Sequence, residues 1–530
     1  SRERLLDLRN DLVLPEQGGI SVLLRHCSRS DDFQRIGRPE LDQVPASLLV
    51  DGNTCDLFRS RNLFHLCRGG VYMMNHIHLI GIGGTGISSI ARVLLEKGYT
   101  VSGSDRSLSP LALELKKAGV TVYEGHAPEN VKGADMVVRS SAILDDNVEV
   151  VEAKRLNIPV LKRSDFLGSL MEQNIGIAIA GSHGKTTTSS LMAWSLYRLG
   201  LDPSYILGGV SKNLGINAHA GSGDYFVIEA DEYDRMFLGL NPGAILITNV
   251  EYDHPDCYPT PQLYVDAFKD FIMRLKPNGF IVADYDSATN NKLFDRLPPA
   301  VSAFSYGLHS QADYRAVNLK QNQIGGFTFD VVFTPDSLPI TTVSLQIPGE
   351  HNVRNALGVI AVHHQLGTNV HVAAQSLSEF KGTGRRFDVV GEVGGITVID
   401  DYAHHPTKIK ATLAAARSRY PGRRIVAVWQ PHTYSRTKAL AADFIRSLEN
   451  ADLVIVSEIY ASREKVEKYS SKDLVQQMDL RKALYIAGIP EITRYLTRHL
   501  LPGDVLIVLS AGDADQICRS VLSVLDERKA

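Results

Sequence analysis

The stretch "IGIAIAGSHGKTTTSSLMAWSLYR", residues 175–198, restricts the fold more than any other part of the chain. Its first six residues are apolar or small, as in a strand buried on both faces of a sheet. Its last ten are compatible with a helix. A strand that passes through a glycine turn into a helix is the βα half of an open parallel sheet. Such a turn suits an anion. Backbone N–H groups close on phosphate oxygens, the helix N-terminus adds partial positive charge, Lys185 reaches the β/γ-phosphates, and the Thr186 hydroxyl can ligate Mg²⁺. The eight-residue phosphate-loop pattern would put glycine at 179, where this chain has isoleucine. It carries the tighter G-x-x-G-K-T-T instead, made of Gly181, Ser182, His183, Gly184, Lys185, Thr186 and Thr187. The competing interpretation is an ordinary strand-to-helix turn with a surface lysine. The strand before and the helix after favour a nucleoside triphosphate. Lys185, at a loop-to-helix junction, is expected to lie outside the core.

A chain of 530 residues is too long for one hydrophobic core and suggests three or four domains. Its net charge of −3 gives no general attraction to nucleic acid or an anionic membrane, so charged ligands must be met locally. No apolar run has the length of a membrane span. The five cysteines (27, 55, 67, 257, 518) form no C-x-x-C pair, which argues against a zinc site or a disulfide framework and fits a reducing cytoplasm. Residues 1–72 stand apart. They hold ten arginines and no lysine, show no sustained helix or strand period and have no signal-peptide core. They end in "CRGGVYMM", where Arg-Gly-Gly can be encoded by a purine-rich ribosome-binding stretch. The expectation is that translation starts at Met73 or Met74 and that residues 1–72 are not part of the native fold. A genuine accessory segment is the alternative.

The remainder divides into three α/β units. The first, residues 73–173, opens with "IHLIGIGGTGISSIARVLLEKGYTVSGSD", a strand, a glycine turn, a helix and a second strand ending at Asp105. Gly81-x-Gly83-x-x-Gly86 with an acid some twenty residues on satisfies the dinucleotide fingerprint. Physically the motif reports a diphosphate at a helix N-terminus, and a UDP-sugar fits it as well as NAD does. The second unit, 174–384, starts at the phosphate loop. Two further strands, in "DYFVIEADEYDRMF" and "AILITNVEYDHPDCYPT", deliver Glu229 and His254, with Asp231, Glu232 and Asp253 as lesser candidates. Carboxylate and imidazole at strand ends beside a phosphate loop are what a Mg²⁺·ATP site needs, because they and the ion offset the phosphate charge. The third unit, 385–530, contains "GITVIDDYAHHPTKIKATLAAA", "RRIVAVWQPHTYSRTKAL", "ADLVIVSEIYAS" and "DVLIVLSAGDADQI", each a strand feeding a helix. His404 and His405 find no third ligand at metal-site spacing, so they are expected in a polar pocket wall or at the helix start marked by Pro406.

Nine segments in order, "GIGGTGISSIA", "SGSD", "GSHGKTTT", "EADEYD", "NVEYDHPDCY", "GEHNVRNALG", "GTGRRFD", "DDYAHHP" and "QPHTYSRT", together resemble the Mur ligase family from residue 74 onward. The resemblance implies a Rossmann-like N-terminal sheet, a central P-loop-type ATPase domain and a Rossmann-like C-terminal α/β domain. It implies a monomer or weak homodimer that uses ATP and Mg²⁺ to join L-alanine to the lactyl carboxylate of UDP-N-acetylmuramate by way of an acyl phosphate. It places the uridine diphosphate sugar on Gly81, Gly83, Gly84, Thr85 and Gly86, with Asp105, Ser140 and Ser141. It gives Lys185 the β/γ-phosphates, Thr186 and Glu229 one metal ion, and His254 a second. His351 and Asn352 match residues around the adenine, Asp401 the acid on the ribose, and Arg386 an arginine between the central and C-terminal domains. His404 and Arg436 match residues that face the acyl group and the incoming amino acid. Two positions depart from the pattern: Ala403 replaces a usual glycine, and Thr433 stands where the family often has arginine, so an anion contact is missing or comes from elsewhere. A sister ligase attaching a recycled tripeptide is the nearest rival. An NAD-dependent oxidoreductase or a non-catalytic nucleotide switch would leave most of these residues idle.

Overall fold

The computed structural model describes residues 75–527, apart from positions 288, 310, 337, 463 and 480, and two short paired strands at Phe64–Cys67 and Gly70–Met73. The expectations for the other residues of 1–72 lie outside the described residues. By internal contacts the chain forms two units, Ser1–Met73 and Met74–Ala530, and the second holds three sheets.

The first sheet has five parallel strands. His76–Ile80 lies at its centre, flanked by Thr100–Asp105 and Met136–Arg139. The chain reverses its direction of travel across the sheet after the second flanking helix, so a crevice opens at the C-terminal end of His76–Ile80. The glycine loop lies there and leads into the helix Thr85–Glu96. Gly81 has φ +85°, and Gly83 donates its N–H to Asp105 at 2.8 Å.

The second sheet has ten strands, mostly parallel, with Ile175–Ala180 between Tyr225–Glu229 and Ala244–Ile247. All three strands are almost wholly buried, which explains the unbroken apolar runs. The helices Lys185–Arg198 and Glu350–Gln365 pack on one face of this sheet, and both are buried along most of their length. Serines make that burial possible: the Ser195 hydroxyl pairs with His363 at 2.7 Å, deep between the two helices.

The third sheet has six strands, all parallel except the first pair, Asp388–Val393 and Ile396–Asp401. Apolar clusters cover both of its faces. The strand Ile396–Asp401 and the following helix Pro406–Arg419 are joined by a four-residue turn that carries Tyr402, Ala403, His404 and His405. Most of the candidate residues therefore sit at carboxyl ends of parallel strands, with His351 and Asn352 at the start of the helix Glu350–Gln365 and Arg386 just before Asp388–Val393 as exceptions.

Candidate active site

The phosphate loop is held by close backbone approach. Gly181 has φ +128°, and a Cβ there would lie 2.2 Å from the Thr248 hydroxyl; Gly184 has φ +83°, and its Cβ would lie 2.7 Å from Asn355 Oδ1. Only glycine tolerates both. The loop is pinned from outside: Ser182 donates its N–H to the Asn249 carbonyl and its hydroxyl to the Glu251 carbonyl, and His183 donates its N–H to Asn249 Oδ1.

Lys185 is not a surface lysine. Its ammonium donates to the Gly181 carbonyl at 2.6 Å and to both Glu232 oxygens at 2.7 and 3.0 Å. Glu232 is buried, and although burial pushes its carboxyl up, Lys185 and His254 hold it at about 2. Lys185 lies outside the hydrophobic core, as expected, but it lines the cavity instead of open surface. The pairing partner, 47 residues away in sequence, brings the ammonium inward.

Thr186 donates its hydroxyl to Glu229 Oε1 at 3.0 Å, and Gly208 donates its N–H to Oε2 at 2.8 Å. Burial pushes the Glu229 carboxyl up against the opposing pull of Lys185 and Arg386. His254 has φ +58°, a conformation that costs energy in a residue with a side chain. Its Nε2 lies 3.5 Å from Glu232, while its Nδ1 is buried with no hydrogen-bond partner.

The C-terminal unit closes over these groups. Arg386 reaches Thr186 Oγ1 at 3.3 Å and covers the Tyr402 ring, its guanidinium carbon 4.7 Å from the ring centre. Arg436 donates through Nη2 to Asp253 Oδ1 at 2.8 Å, both side chains being buried. His404 Nδ1 pairs with the Tyr402 carbonyl at 2.8 Å, so Nε2 is the acceptor nitrogen. Burial, with Lys408 and Arg436 nearby, holds His404 well below the ordinary imidazole range and therefore neutral.

His405 and His404 do not act as a pair. His405 turns toward His183 and Glu251, and the three bring one ligand atom each within 4.8 Å of one another. Two of these partners come from the central unit, which sequence spacing could not show. The Glu251 carboxylate accepts from Thr407 at 2.6 Å and pairs with His183 at 2.7 Å, a bridge between the units, while His405 Nδ1 stands 4.0 Å from Glu251, buried without a hydrogen-bond partner.

One cavity of about 1860 Å³ collects most of the expected residues. Its wall includes the loop from Ser182 to Thr187 together with Glu229, His254, His351, Asn352, Arg386, Asp401, His404 and Arg436. Two of these are occupied locally. Asn352 donates to the Pro348 carbonyl and accepts from Asn355, and Asp401 accepts the N–H groups of Phe387 and Ala403, both at 2.7 Å. From the N-terminal sheet only Thr85 and Gly86, of the expected residues, reach this wall. Gly81, Gly83, Gly84, Asp105, Ser140 and Ser141 cluster at the carboxyl edge of their own sheet, where Ser140 donates its N–H to the Ile80 carbonyl.

Sequence reading passed over Arg163, Glu251 and Lys408. A Cβ on Gly86 would lie 1.6 Å from the Arg163 guanidinium, which therefore rests on the N-terminus of the Thr85–Glu96 helix. The available signal for Lys408 was its place in the first turn of a helix that follows a strand end. For Arg163 and Glu251 the partners are tertiary, and no local pattern marks them.

Three α/β sheets and a cavity lined by a phosphate-loop turn define a three-domain nucleotide-dependent ligase architecture of the kind the nine segments suggested, and the comparisons agree. Family models match in chain order: "Mur ligase family, catalytic domain" over residues 76–174, "Mur ligase middle domain" over 179–363, and "Mur ligase, glutamate ligase domain" over 385–512. The chain belongs to the Mur ligase family. It is 41% identical over 461 residues to a UDP-N-acetylmuramate–L-alanine ligase of Geobacter sp. (strain M21), covering 86% of this chain and 99% of the relative. It is 42% identical over 445 residues to the same-named enzyme of Caldanaerobacter subterraneus subsp. tengcongensis, covering 83% and 96%. Among solved structures it resembles the UDP-N-acetylmuramate–alanine ligase of Thermotoga maritima, with a TM-score of 0.73 at 27% identity over 86% of this chain and 99% of the other. A murein peptide ligase of Psychrobacter arcticus gives a TM-score of 0.63 at 26% identity over 85% and 98%.

Proposed function

We propose that the chain is an ATP-dependent ligase joining L-alanine to the lactyl carboxylate of UDP-N-acetylmuramate. The observation that carries this is the single cavity in which a phosphate loop, two strand-end groups and the turn residues of the C-terminal unit face one another. The relatives sharing 41–42% identity over nearly their full lengths are named for L-alanine, which favours that acceptor over a recycled tripeptide.

The chemistry follows from the weakness of a carboxylate as an electrophile. The lactyl carboxylate attacks the γ-phosphorus of ATP and ADP leaves; the alanine amine then attacks the acyl carbon and inorganic phosphate leaves. Lys185 exchanges its Glu232 partner for the β/γ-phosphates, where a positioned cation offsets charge developing in the transition state. Arg386 lies against Thr186 from the other unit and serves the same charge.

The donors suit divalent cations. Thr186 and Glu229 are hard oxygen ligands 3.0 Å apart, burial pushes the Glu229 carboxyl up, and His254 Nδ1 is buried without a partner. Thr186 and Glu229 would hold one Mg²⁺ and His254 a second, and such ions would offset charge on the transferring phosphoryl group. Neutral His404, with Nε2 free to accept, is suited to take the proton the amine must lose. The N-terminal sheet, with Gly81–Gly86, Asp105, Ser140, Ser141 and Arg163, holds the nucleotide sugar. The acyl phosphate needs shelter from water, and closure of the C-terminal unit provides it.

An ADP-release assay tests the whole assignment. Release should require UDP-N-acetylmuramate and an amino acid together, with L-alanine preferred over glycine, L-serine and the L-Ala-γ-D-Glu-linked tripeptide. Preference for the tripeptide would transfer the chain to the recycling activity.

A further inference from the structure

The expected partner for the amino-acid carboxylate is already engaged. Arg436 spends its Nη2 on buried Asp253 at 2.8 Å. Its Nε–H is buried and without a hydrogen-bond partner, so part of the guanidinium remains available to a ligand. Thr433, standing where the family often has arginine, is buried in the same cavity wall, carries no charge, and makes no side-chain hydrogen bond among the described residues. Positions 433 and 436 therefore do not supply a pair of arginines for a carboxylate.

Lys408 occupies the same wall. It lies in the first turn of the helix Pro406–Arg419, four residues after His404, and forms no hydrogen bond or ion pair among the described residues. The charges that act on it are Asp253, Lys185, Arg386 and Glu232. Both acids are committed, Asp253 to Arg436 and Glu232 to Lys185. The other two charges are cations. Lys408 thus brings into a desolvated space beside His404 and Arg436 a positive charge whose two acidic neighbours are each already paired with another cation.

We infer that Lys408 takes the carboxylate of the incoming amino acid and supplies the anion contact that Thr433 does not. The contact rests on the ligase activity proposed above and specifies how its acceptor is recognised. Burial, reinforced by Lys185 and Arg386, pushes the Lys408 ammonium down to about 8. A carboxylate bound beside it restores the compensation, which is why an anionic ligand belongs there. The phosphates are left to Lys185 and the loop, with Lys185 itself paired to Glu232. Arg436, in the short helix Tyr434–Ala439, leaves its unpartnered Nε–H as a second donor in the same cavity wall.

The test is steady-state ADP release by the full chain and by Lys408→Gln and Lys408→Arg, with L-alanine or L-alaninamide as acceptor. In Lys408→Gln the KM for L-alanine should rise roughly 10- to 100-fold, the loss of one charge-assisted contact. KM for ATP and for UDP-N-acetylmuramate should stay within about twofold. Lys408→Arg should recover most of the alanine affinity. L-alaninamide lacks the carboxylate, so on that acceptor Lys408→Gln and the parent should perform alike, an outcome that a merely structural lysine would not produce. An unchanged KM for L-alanine with a lowered kcat would overturn the inference and move Lys408 to the transferring phosphoryl group. An equal loss on alanine and alaninamide would overturn it as well. If the parent uses L-alanine normally, these failures fall on Lys408 alone. If the parent turns over only with a tripeptide, whose attacking residue has no free α-carboxylate, the acceptor assignment fails and the Lys408 contact with it.

Discussion

Replacing Lys185 by methionine keeps most of the aliphatic stem and deletes the ammonium that touches both oxygens of Glu232 at 2.7 and 3.0 Å. Glu232 is 1% exposed. Burial alone would push its carboxyl up, yet Lys185 and His254 hold it at about 2 against an ordinary value of 4.5. That difference corresponds to about 3 kcal/mol favouring the charged pair in the folded chain. Because the folded value is depressed, the contribution is fully present above the ordinary value and is lost as pH falls toward about 2. The methionine variant strands a buried carboxylate, so it should lose about 3 kcal/mol near pH 7. The deficit should shrink on acidification, as protonation relieves the stranded charge. Adding Glu232→Gln removes that charge and should restore most of the stability, while turnover stays down by a hundredfold or more, of the order seen when one transition-state contact is lost. Denaturant unfolding can be followed at Trp194, which shares a helix with Lys185, after Trp429→Phe removes the other of the two tryptophans. A methionine variant that unfolds at the parent's denaturant concentration would refute the pairing argument. A double variant with parental turnover would refute the phosphate role.

Glu229→Ala and His254→Ala should each lower ADP release and raise the Mg²⁺ concentration that supports it; unchanged Mg²⁺ titrations in both would remove them from the metal site. Glu149, buried in the first sheet's domain, accepts from Ser104 at 2.5 Å and Asn130 at 2.6 Å, and despite burial the nearby His78 ring, 3.7 Å away, and these two hydrogen bonds hold it at about 2. Glu149→Gln should therefore cost about 1–3 kcal/mol at neutral pH, with a difference in unfolding that closes as pH falls from the ordinary carboxylate range toward about 2. Gly86→Ala should displace Arg163, whose guanidinium sits 1.6 Å from the added Cβ, and raise the KM for UDP-N-acetylmuramate roughly tenfold while leaving that for ATP alone. Equal KM values would show that Arg163 does not meet the nucleotide sugar.

The parts of this site that were legible in the sequence are those fixed by local geometry. A buried strand, a glycine that must have positive φ and a helix start lie within a dozen residues, so Gly181, Gly184, Lys185 and Thr186 announce themselves. The same holds for Glu229 and His404, which follow strands whose apolar runs are unmistakable. What the sequence could not show is which charge faces which. Asp253 and Arg436 are 183 residues apart, and Glu251 and Thr407 are 156 apart. Nor could it show that Asp105 and Asp401, read as acids for ribose hydroxyls, each accept backbone N–H groups that shape their own loops. A carboxylate at a strand end satisfies either use, and only the fold reveals the local one.

The cross-unit contacts share one property that bears on how the chemistry is protected. Arg386 ends on Thr186, in the first turn of the phosphate-loop helix. Arg436 ends on Asp253, the residue before His254. Thr407 ends on Glu251, whose other oxygen holds His183 of the loop itself. Each of these three contacts thus terminates on, beside, or one hydrogen bond from a proposed phosphate or metal ligand. Opening the units would withdraw Arg386 and Arg436 and release the outer anchor of the loop in one motion. The arrangement that shelters an acyl phosphate is therefore also the one that completes the catalytic charges, so phosphoryl transfer in an open, wet site is disfavoured by the same bonds that hold the closed one.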